Sequence, residues 1–350
     1  MEEHLFSACA SGQVKEASYL LSHPIINPNY QNTIGWTSLL IACYNGRIEI
    51  VKLLLANKKV EVNKVNKNGT TPFYIACCLG HIEIVKLLLN DERVDVNQQE
   101  KEYGRTPFYI ACYFGYIEIV QLLLNDKRVD INQENYCEWS PFYIACCSGH
   151  IEIVKLLGND KRIEINKANN YGWTPFFIAC FNGDVQVVKM LLNIKGIELN
   201  KPSHSGSTPF WIACCKGFFE IVKLLLDDKK INIRKAFNNG VPPLYIACYN
   251  GHIEIVKYIL ASEREININE KWNNEKTALD FSKDRLSITQ KLTWETDEQY
   301  QKAQMNCSKI IELLESFQMN STETRIRLRK QLDLPGTFYI QFFFFFFFFE

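Results

Sequence analysis

The stretch TPFYIACCLGHIEIVKLLLN, residues 71–90, predicts two short helices joined at a glycine. Thr71 and Pro72 begin the first helix, because a threonine hydroxyl accepts hydrogen bonds from free N–H groups and proline has no N–H to leave unpaired. Gly80 can adopt the left-handed conformation that ends a helix. After it, apolar residues recur every three or four positions, which is typical of one buried helix face.

The same pattern repeats along almost the whole chain. A glycine stands at its centre every 34 or 35 residues. These glycines are Gly12, Gly46, Gly80, Gly115, Gly149, Gly183, Gly217 and Gly251. A fixed period of this length indicates a stack of similar helical units that cover one another's apolar faces. Such stacks usually work by presenting a long concave surface to another macromolecule.

The composition limits the classes of partner. The chain has 350 residues, of which 47% are hydrophobic, so it can bury a core. Lys and Arg together number 39, as do Asp and Glu, and the formal net charge is zero. We therefore expect neither a nucleic-acid partner nor an anionic membrane, since both require excess positive charge. Residues 1–5 have no basic segment followed by an apolar run, so we expect no signal peptide.

The thirteen cysteines follow the repeat rather than a disulfide or metal pattern. Eight of them occur once per repeat, each just after an alanine: Cys9, Cys43, Cys77, Cys112, Cys146, Cys180, Cys214 and Cys248. Neighbouring copies are expected roughly 8–10 Å apart, beyond the reach of a disulfide. The spacing C-x-x-C does not occur. We interpret these thiols as small core residues of a protein in a reducing compartment, and we expect no metal site.

These motifs resemble the ankyrin repeat. Its Thr-Pro-Leu-His start appears here as residues 71–74, 106–109, 174–177 and 208–211, and its second-helix sequence as residues 80–89. The resemblance covers about residues 4–317 in eight or nine copies. It implies an all-α solenoid of stacked helix-turn-helix units with short hairpin fingers, and partner contacts on the concave face formed by the fingers and inner helices.

Several residues depart from the family pattern. An aromatic residue replaces the family's histidine, which bonds a neighbouring hairpin. The replacements are Tyr74, Tyr109, Tyr143, Phe177, Trp211 and Tyr245. A tyrosine hydroxyl could form that bond, whereas Phe177 could not. Glu138 and Glu275 stand where a finger glycine is expected, so these two fingers are expected to bend differently. Gly158 replaces a leucine of the second helix, which predicts less apolar volume in that repeat.

The repeats predict four parts of the chain. Residues 1–32 form an amino-terminal capping repeat, and residues 33–270 form seven internal repeats. Residues 271–317 form a carboxyl-terminal capping repeat with a polar insertion at 283–306, which we interpret as a loop or helical extension, a docking loop being the alternative. Residues 318–350 form a tail outside the repeat.

The tail contains two distinct segments. Residues 322–334 read as a short basic helix, which is either a solvated helix end or a contact for an acidic partner. Residues 342–349 are eight consecutive phenylalanines, too few to cross a bilayer. Our leading hypothesis is an incorrectly read homopolymeric DNA tract, and a hydrophobic tail anchor is the alternative.

The sequence contains no recognisable catalytic pattern. Phosphate-binding glycine loops, H-E-x-x-H and G-x-S-x-G are all missing. Three of the six histidines, His81, His150 and His252, occupy one repeat position directly after a glycine, which favours packing at a helix start. We therefore expect no enzyme, no cofactor and no small-molecule substrate.

The resemblance to ankyrin repeats places partner contacts beside the finger glycine and before the inner-helix glycine. The residues at these positions are Trp36, Tyr44, Tyr103, Arg105, Tyr113, Phe114, Tyr136, Trp139, Tyr171, Trp173, Phe181, Lys216 and Tyr249. Tyr, Trp and Arg are enriched among interface hot spots. We therefore predict an aromatic groove in the middle three repeats. The alternative is that the rings pack against adjacent fingers for stability alone.

Together these observations predict a non-catalytic scaffold, monomeric, that binds an unidentified protein. The alternative function is the substrate-recruiting ankyrin part of a larger regulatory protein, such as a ubiquitin-ligase adaptor or a kinase-linked subunit. A nucleic-acid-associated ankyrin factor is a third reading, which the zero net charge disfavours. We expect the protein in the cytoplasm, with the nucleus as the other compartment.

Overall fold

The computed structural model describes residues 1–235, 237, 240–272, 275–288 and 296–334. These residues form nineteen helices and no strand; a single isolated bridge joins Trp272 and Lys276. The phenylalanine run at 342–349 lies outside the described residues, as does the centre of the polar insertion at 289–295. The predicted all-α fold of stacked helical pairs is confirmed.

The chain divides into two compact units, of which the first holds residues 1–170 and 193–197. Its helices alternate between inner and outer positions. They are α1 (Glu2–Ser11), α2 (Val14–Ser22), α3 (Ser38–Tyr44), α4 (Ile48–Ala56), α5 (Pro72–Cys78), α6 (Ile82–Leu89), α7 (Pro107–Phe114), α8 (Ile117–Asn125), α9 (Pro141–Cys147) and α10 (Ile151–Gly158). Odd-numbered helices pack side by side, and even-numbered helices do the same.

The second unit holds residues 171–192 and the described residues from 198 onward. Its helices are α11 (Pro175–Asn182), α12 (Val185–Leu192), α13 (Pro209–Lys216), α14 (Phe219–Asp227), α15 (Pro243–Tyr249), α16 (Ile253–Ala261), α17 (Ala278–Ser287), α18 (Asp297–Met319) and α19 (Ser321–Gln331). Both ends of the predicted insertion are thus helical, in α17 and α18. The last helix, α19, packs on α16 and α18.

The inner helix α7 begins and ends as its local sequence requires. In α7 the Thr106 hydroxyl accepts a hydrogen bond from Tyr109 N at 3.0 Å, and Pro107 is the first helical residue. Gly115 ends the helix at φ 81°, a conformation that glycine adopts without a Cβ penalty. A Cβ there would also lie 2.6 Å from the His150 ring. Glycine is therefore required both by the backbone and by the neighbouring repeat.

At five junctions an asparagine joins one repeat to the next. Asn63 Nδ2 donates to Arg93 O at 2.7 Å, and Asn63 Oδ1 accepts from Asp95 N at 2.8 Å. The same pair of bonds recurs at Asn29, Asn97, Asn132 and Asn200. Because each amide satisfies two backbone groups of the following repeat, it fixes the register between neighbours.

A second link, the Asp–Arg pair, closes the outer side of three repeats in the first unit. Arg128 binds Asp126 two residues earlier and donates to Leu89 O of the preceding repeat at 2.6 Å. Arg93 and Arg162 repeat the arrangement with Asp91 and Asp160. These arginines bind the last carbonyls of an outer helix, where positive charge is favourable.

The once-per-repeat cysteines lie in the core, as the sequence indicates. Cys43, Cys112 and Cys180 are fully buried free thiols. Burial raises the pKa of all three well above the usual thiol value, because a thiolate would lose its hydration there. They therefore behave as small apolar residues of the core.

Three arginines of α19 contact α16 and α18. Arg325 donates to Leu260 O at 3.2 Å and Arg329 donates to Ala261 O at 3.2 Å. Arg327 donates to Ser316 Oγ at 3.0 Å. Arg329 is only 5% exposed, so its charge serves the end of a helix rather than the surface.

Candidate functional site

The thirteen predicted contact residues lie on fingers, the turns that precede the inner helices, or at the ends of inner helices. All of them are exposed or half-buried, and none belongs to the core. The first unit carries eight: Trp36, Tyr44, Tyr103, Arg105, Tyr113, Phe114, Tyr136 and Trp139. The second carries five: Tyr171, Trp173, Phe181, Lys216 and Tyr249. The predicted groove in the middle repeats therefore divides between the two units.

Finger 100–105 is one residue longer than its neighbours, and Glu100 makes this possible. In finger 66–70 the Asn66 side chain caps the turn. In the longer finger, Glu100 accepts hydrogen bonds from the backbone N–H groups of Glu102, Tyr103 and Arg105, at 2.7, 2.9 and 3.2 Å. The longer carboxylate reaches across a wider turn than an asparagine amide.

The Glu100 carboxylate also determines the electrostatics of this finger. Its side chain is only 2% exposed and accepts a charged hydrogen bond from Arg105 Nε at 3.1 Å. Burial by itself raises the pKa of Glu100, but the backbone N–H groups and the Arg105 guanidinium outweigh it, so the pKa is lowered. Arg105 lies 4.4 Å from the Tyr103 ring centroid. The finger thus presents a half-exposed tyrosine and an arginine whose charge is already compensated.

The next finger rests on this one. Tyr136 N donates to Tyr103 O at 2.9 Å, and a Cβ on Gly104 would lie 2.4 Å from the Tyr136 ring. The ring nevertheless remains 63% exposed. Tyr136 therefore does both things that the sequence left open: it packs against the adjacent finger and offers a face to solvent.

The expected distortion at Glu138 does not occur, whereas Glu275 differs from it in backbone conformation. Glu138 has φ 58°, in the same left-handed region as Gly104 at 70°, so its finger keeps the usual bend. Among the described non-glycine residues only Glu138 and Asp333 have positive φ. Glu275 is not among them, although its N–H donates to Trp272 O at 3.0 Å just as the Glu138 N–H donates to Asn135 O at 2.9 Å.

The predicted loss of volume at Gly158 was wrong. A Cβ there would lie 2.2 Å from Ile194 Cδ1, so the isoleucine occupies the space that a leucine side chain would need. Ile194 is itself only 8% exposed. Because Ile194 stands where other repeats have the aspartate of the Asp–Arg pair, an apolar contact replaces a polar one.

The aromatic residues at inner-helix ends form pairs. Tyr113 and Phe114 contact each other edge to face with centroids 4.9 Å apart, and are 42% and 44% exposed. Tyr116 extends the pair, 5.9 Å from Phe114. Trp36 and Tyr44 form a similar pair at 5.2 Å. Sequence reasoning missed Tyr116, although it replaces the histidine that stands at this position in other repeats.

Trp139 is half-buried, whereas the neighbouring Tyr136 is exposed. The Trp139 ring lies 5.3 Å from that of the buried Tyr143. Trp139 Nε1 is buried without a hydrogen-bond partner among the described residues. This tryptophan therefore contributes to packing as well as to the surface, and its loss would affect both.

In the second unit the rings form a continuous cluster. Trp173 lies 5.7 Å from Tyr171, 5.3 Å from Phe177 and 4.8 Å from Phe181, measured between ring centroids. Lys216 Nζ lies 4.4 Å from the Phe181 ring centroid. Tyr171 is 58% exposed and Lys216 is exposed. We call Tyr171, Trp173, Phe181 and Lys216 the Trp173 cluster.

Tyr249 differs from the other candidates because the carboxyl-terminal helices cover part of it. Its ring lies 6.3 Å from Phe281, and the guanidinium of the buried Arg285 lies 5.6 Å from its centroid. Tyr249 is therefore half-buried.

Several of the aromatic substitutes for the family histidine form a hydrogen bond with the next repeat. Tyr143 Oη accepts from Asn169 Nδ2 at 3.2 Å, and Trp211 Nε1 donates to Val241 O at 3.0 Å. Tyr245 Oη donates to Glu270 O. The side chain of Phe177 instead stacks on Phe181 at 6.5 Å. The hydrogen bond that joins repeats is thus kept by tyrosine and tryptophan side chains.

The recurring histidines pack between repeats. His150 Nε2 lies 2.8 Å from Tyr113 O, and His81 and His252 make the same contact with Tyr44 O and Cys215 O. Within the described residues, no group of three or more His, Cys, Asp or Glu side chains could hold a metal ion. No described helix has both the length and the apolar character needed to span a bilayer. The arrangement is suited to recognition by rings, backbone groups and a few charges.

Comparison with known proteins agrees with this architecture. A family model described as "Ankyrin repeats (3 copies)" matches residues 56–135, 128–203 and 194–271. A second, "Ankyrin repeats (many copies)", matches residues 5–55. No curated protein matches significantly in sequence. The crystal structure of the human ASB11 ankyrin repeat domain is similar, at 27% identity and a TM-score of 0.52. The match covers 60% of this chain and 90% of that chain.

The family models cover most of the chain, and they match the parts in which the helical pairs, fingers and inter-repeat bonds recur. Ankyrin repeats generally form non-catalytic modules for protein interaction. The chain belongs to the ankyrin repeat family.

Proposed function

We propose that this protein is a non-catalytic scaffold that binds a protein partner on its fingers and inner-helix ends. The exposed rings of Tyr103, Tyr113, Phe114 and Tyr136 supply the contacts in the first unit. The Trp173 cluster supplies the contacts in the second. A rigid, preformed surface loses little conformational entropy on binding, so a few aromatic anchors suffice for affinity.

The observation that carries this proposal is the Tyr113–Phe114 pair. Both rings are more than 40% exposed at the end of α7, while the preceding Ala111 and Cys112 are fully buried. Packing within the repeat therefore does not require two large rings at these positions. Covering them with a partner would remove apolar surface from water, worth roughly 25 cal/mol per Å².

The test compares capture of proteins from native lysate by the wild-type chain and by the double variant Tyr113→Ser/Phe114→Ser. We expect the variant to lose specific partners in quantitative mass spectrometry while its helical circular dichroism stays unchanged. Tyr19→Ser is the matched control, because Tyr19 is a 66% exposed ring on the outer helix α2. It should retain the partners.

An unchanged set of captured proteins in the double variant would reject the proposed surface. We prefer this pair to Trp139 and Trp173, which contact buried rings. Their replacement by alanine would lower stability as well as remove contact area, and the two effects would be confounded.

A further inference from the structure

Three finger and inner-helix segments of the second unit carry no acidic residue. These segments are residues 171–182, 201–217 and 234–250, the first three of the unit. Their charged residues are Lys201, Lys216, Arg234 and Lys235. The whole chain is neutral, so the compensating carboxylates lie elsewhere, and these segments carry positive charge only.

Two of the corresponding segments of the first unit have a different charge pattern. Residues 98–114 and 133–148 contain Glu100, Glu102, Glu134 and Glu138 beside Lys101 and Arg105. Arg105 is neutralised by Glu100 at 3.1 Å. Residues 31–45 and 64–79 of the first unit, like the three segments of the second unit, lack Asp and Glu, so a cation on any of these segments has no carboxylate partner within its own segment.

Two of the four cations have internal partners and two have none that the structure describes. Lys201 pairs with Glu198 at 3.1 Å, and Arg234 pairs with Glu270 at 3.5 Å. In the described part of the chain, no ion pair involves Lys216 or Lys235. An external anion at Lys216 would thus meet a cation that is not already engaged.

Lys216 stands next to apolar contact area rather than apart from it. Its Nζ lies over the Phe181 ring at 4.4 Å, and Phe181 lies 4.8 Å from Trp173. The cation–π contact holds the ammonium beside the rings while leaving it exposed. The aromatic rings and the lysine ammonium lie about one side-chain width apart, so a ligand bound here contacts both.

We propose that the Trp173 cluster recognises an acidic segment of a partner protein, in which an Asp or Glu is close in sequence to an aromatic or long aliphatic residue. The carboxylate pairs with Lys216 and the apolar side chain packs on Tyr171 and Trp173. This inference rests on the proposed scaffold function and adds the chemistry of the partner. Two unengaged cations are too few for strong phosphate-backbone binding, which argues against a nucleic acid.

The test selects a phage-displayed library of random peptides on the full chain. We expect enrichment of peptides that combine Asp or Glu with Trp, Phe or Leu. Their affinity should fall about tenfold in Lys216→Glu and weaken as salt rises. Lys223→Glu is the control, because Lys223 is exposed on the outer helix α14 of the same unit. It should leave the affinity unchanged. Tyr171→Ser should also weaken binding.

Two other kinds of result would overturn the inference, and each would point to a different ligand. Neutral or basic peptides, or peptides that bind Lys216→Glu as well as wild type, would reject the acidic partner. A labelled single-stranded oligonucleotide that binds the wild-type chain more tightly than the peptides would assign the surface to nucleic acid. Neither result bears on the Tyr113–Phe114 capture experiment, so failure of this inference and failure of the scaffold function are distinguishable.

Discussion

Glu138 holds a backbone conformation that costs an L-residue about 1–2 kcal/mol and costs glycine nothing in steric terms. Its φ of 58° lies close to the 70° and 75° of Gly104 and Gly172. Replacing Glu138 with glycine removes this strain. It also destabilises the folded state by about 0.5–1 kcal/mol, because glycine gives the unfolded chain more conformational freedom. We therefore expect Glu138→Gly to raise the free energy of unfolding by about 0.5–1 kcal/mol, measured by urea denaturation.

Glu275 provides the matched control for that measurement. It occupies the equivalent repeat position, but its φ is not positive. Glu275→Gly removes no strain and should leave stability unchanged or slightly lower. Equal stabilisation by both substitutions would show that the left-handed conformation of Glu138 is not the cause.

Gly158 and Ile194 form a complementary pair across two repeats. A side chain at position 158 would occupy the volume of Ile194 Cδ1, since its Cβ would lie only 2.2 Å from that methyl group. We expect Gly158→Leu to lower the free energy of unfolding by about 1–3 kcal/mol through overpacking. Adding Ile194→Ala should recover part of that loss, because it reopens the space.

A double-mutant cycle measured by chemical denaturation checks this coupling. Ile194→Ala alone should also be destabilising, since it leaves a cavity beside Gly158. Additive effects of the two substitutions would contradict direct packing between these positions.

At the scale of elements, the Asp–Arg pairs make the stability of the first unit decrease at acidic pH. Hydrogen bonds from Arg93, Arg128 and Arg162 lower the pKa of Asp91, Asp126 and Asp160. Because the folded-state pKa is lowered, the stabilisation is complete above the unfolded value of about 3.9. It is lost as the pH falls through the folded pKa values.

The measurement is the urea midpoint as a function of pH for wild type and for Arg93→Ala. We expect Arg93→Ala to cost about 1 kcal/mol near neutral pH and less at acidic pH, where the Asp91 carboxylate is protonated. Lys86→Ala is the control, because the Lys86–Glu83 pair is exposed on both sides. A cost for Arg93→Ala that does not change with pH would argue against the ion pair as its source.

The elements themselves were largely predictable from the period. Thr-Pro starts, a glycine end and apolar residues every three or four positions act within one repeat, so the short sequence around Thr71 was enough to indicate the helix pairs. The exceptions depend on contacts between repeats. Ile194 fills the space at Gly158 in the preceding repeat, and Glu100 spans a longer finger. Neither arrangement follows from a local sequence pattern.

The sequence indicated which residues lie outside the core, but not how their contacts and charges are arranged. Family positions identified residues that are all outside the core, such as Tyr113 and Tyr136. They did not reveal that Arg105 is neutralised while Lys216 is not, since that difference depends on which carboxylate lies within reach. Exposure and charge compensation are properties of packed neighbours, and the repeat pattern alone does not specify them.

At the scale of the whole molecule, contacts between neighbouring repeats should determine which deletions the stack tolerates. Within the first unit, every substantial helix contact joins helices of one repeat or of consecutive repeats. Stability in such a stack is close to a sum of repeat and nearest-neighbour terms. Removal of one complete period should therefore leave the remaining repeats able to pack, provided that the new neighbours match.

Residues 81–115 form such a period, from the start of α6 to Gly115. Their deletion brings α5 beside α9, and both have the sequence PFYIACC. Each of them normally packs on α7, which begins with the same PFYIAC. Tyr116 would then take the place of His81, whose ring packs against Gly46.

We expect this deletion variant to keep its helical content per residue and to unfold cooperatively, with a smaller m value because less surface becomes exposed. Deletion of residues 81–97 alone removes an outer helix and leaves its inner partner uncovered, so that variant should lose helical signal and aggregate. Circular dichroism measures the helical content of both variants, and urea titration measures their unfolding. A full-period deletion that unfolds like the partial one would show that coupling extends beyond neighbouring repeats.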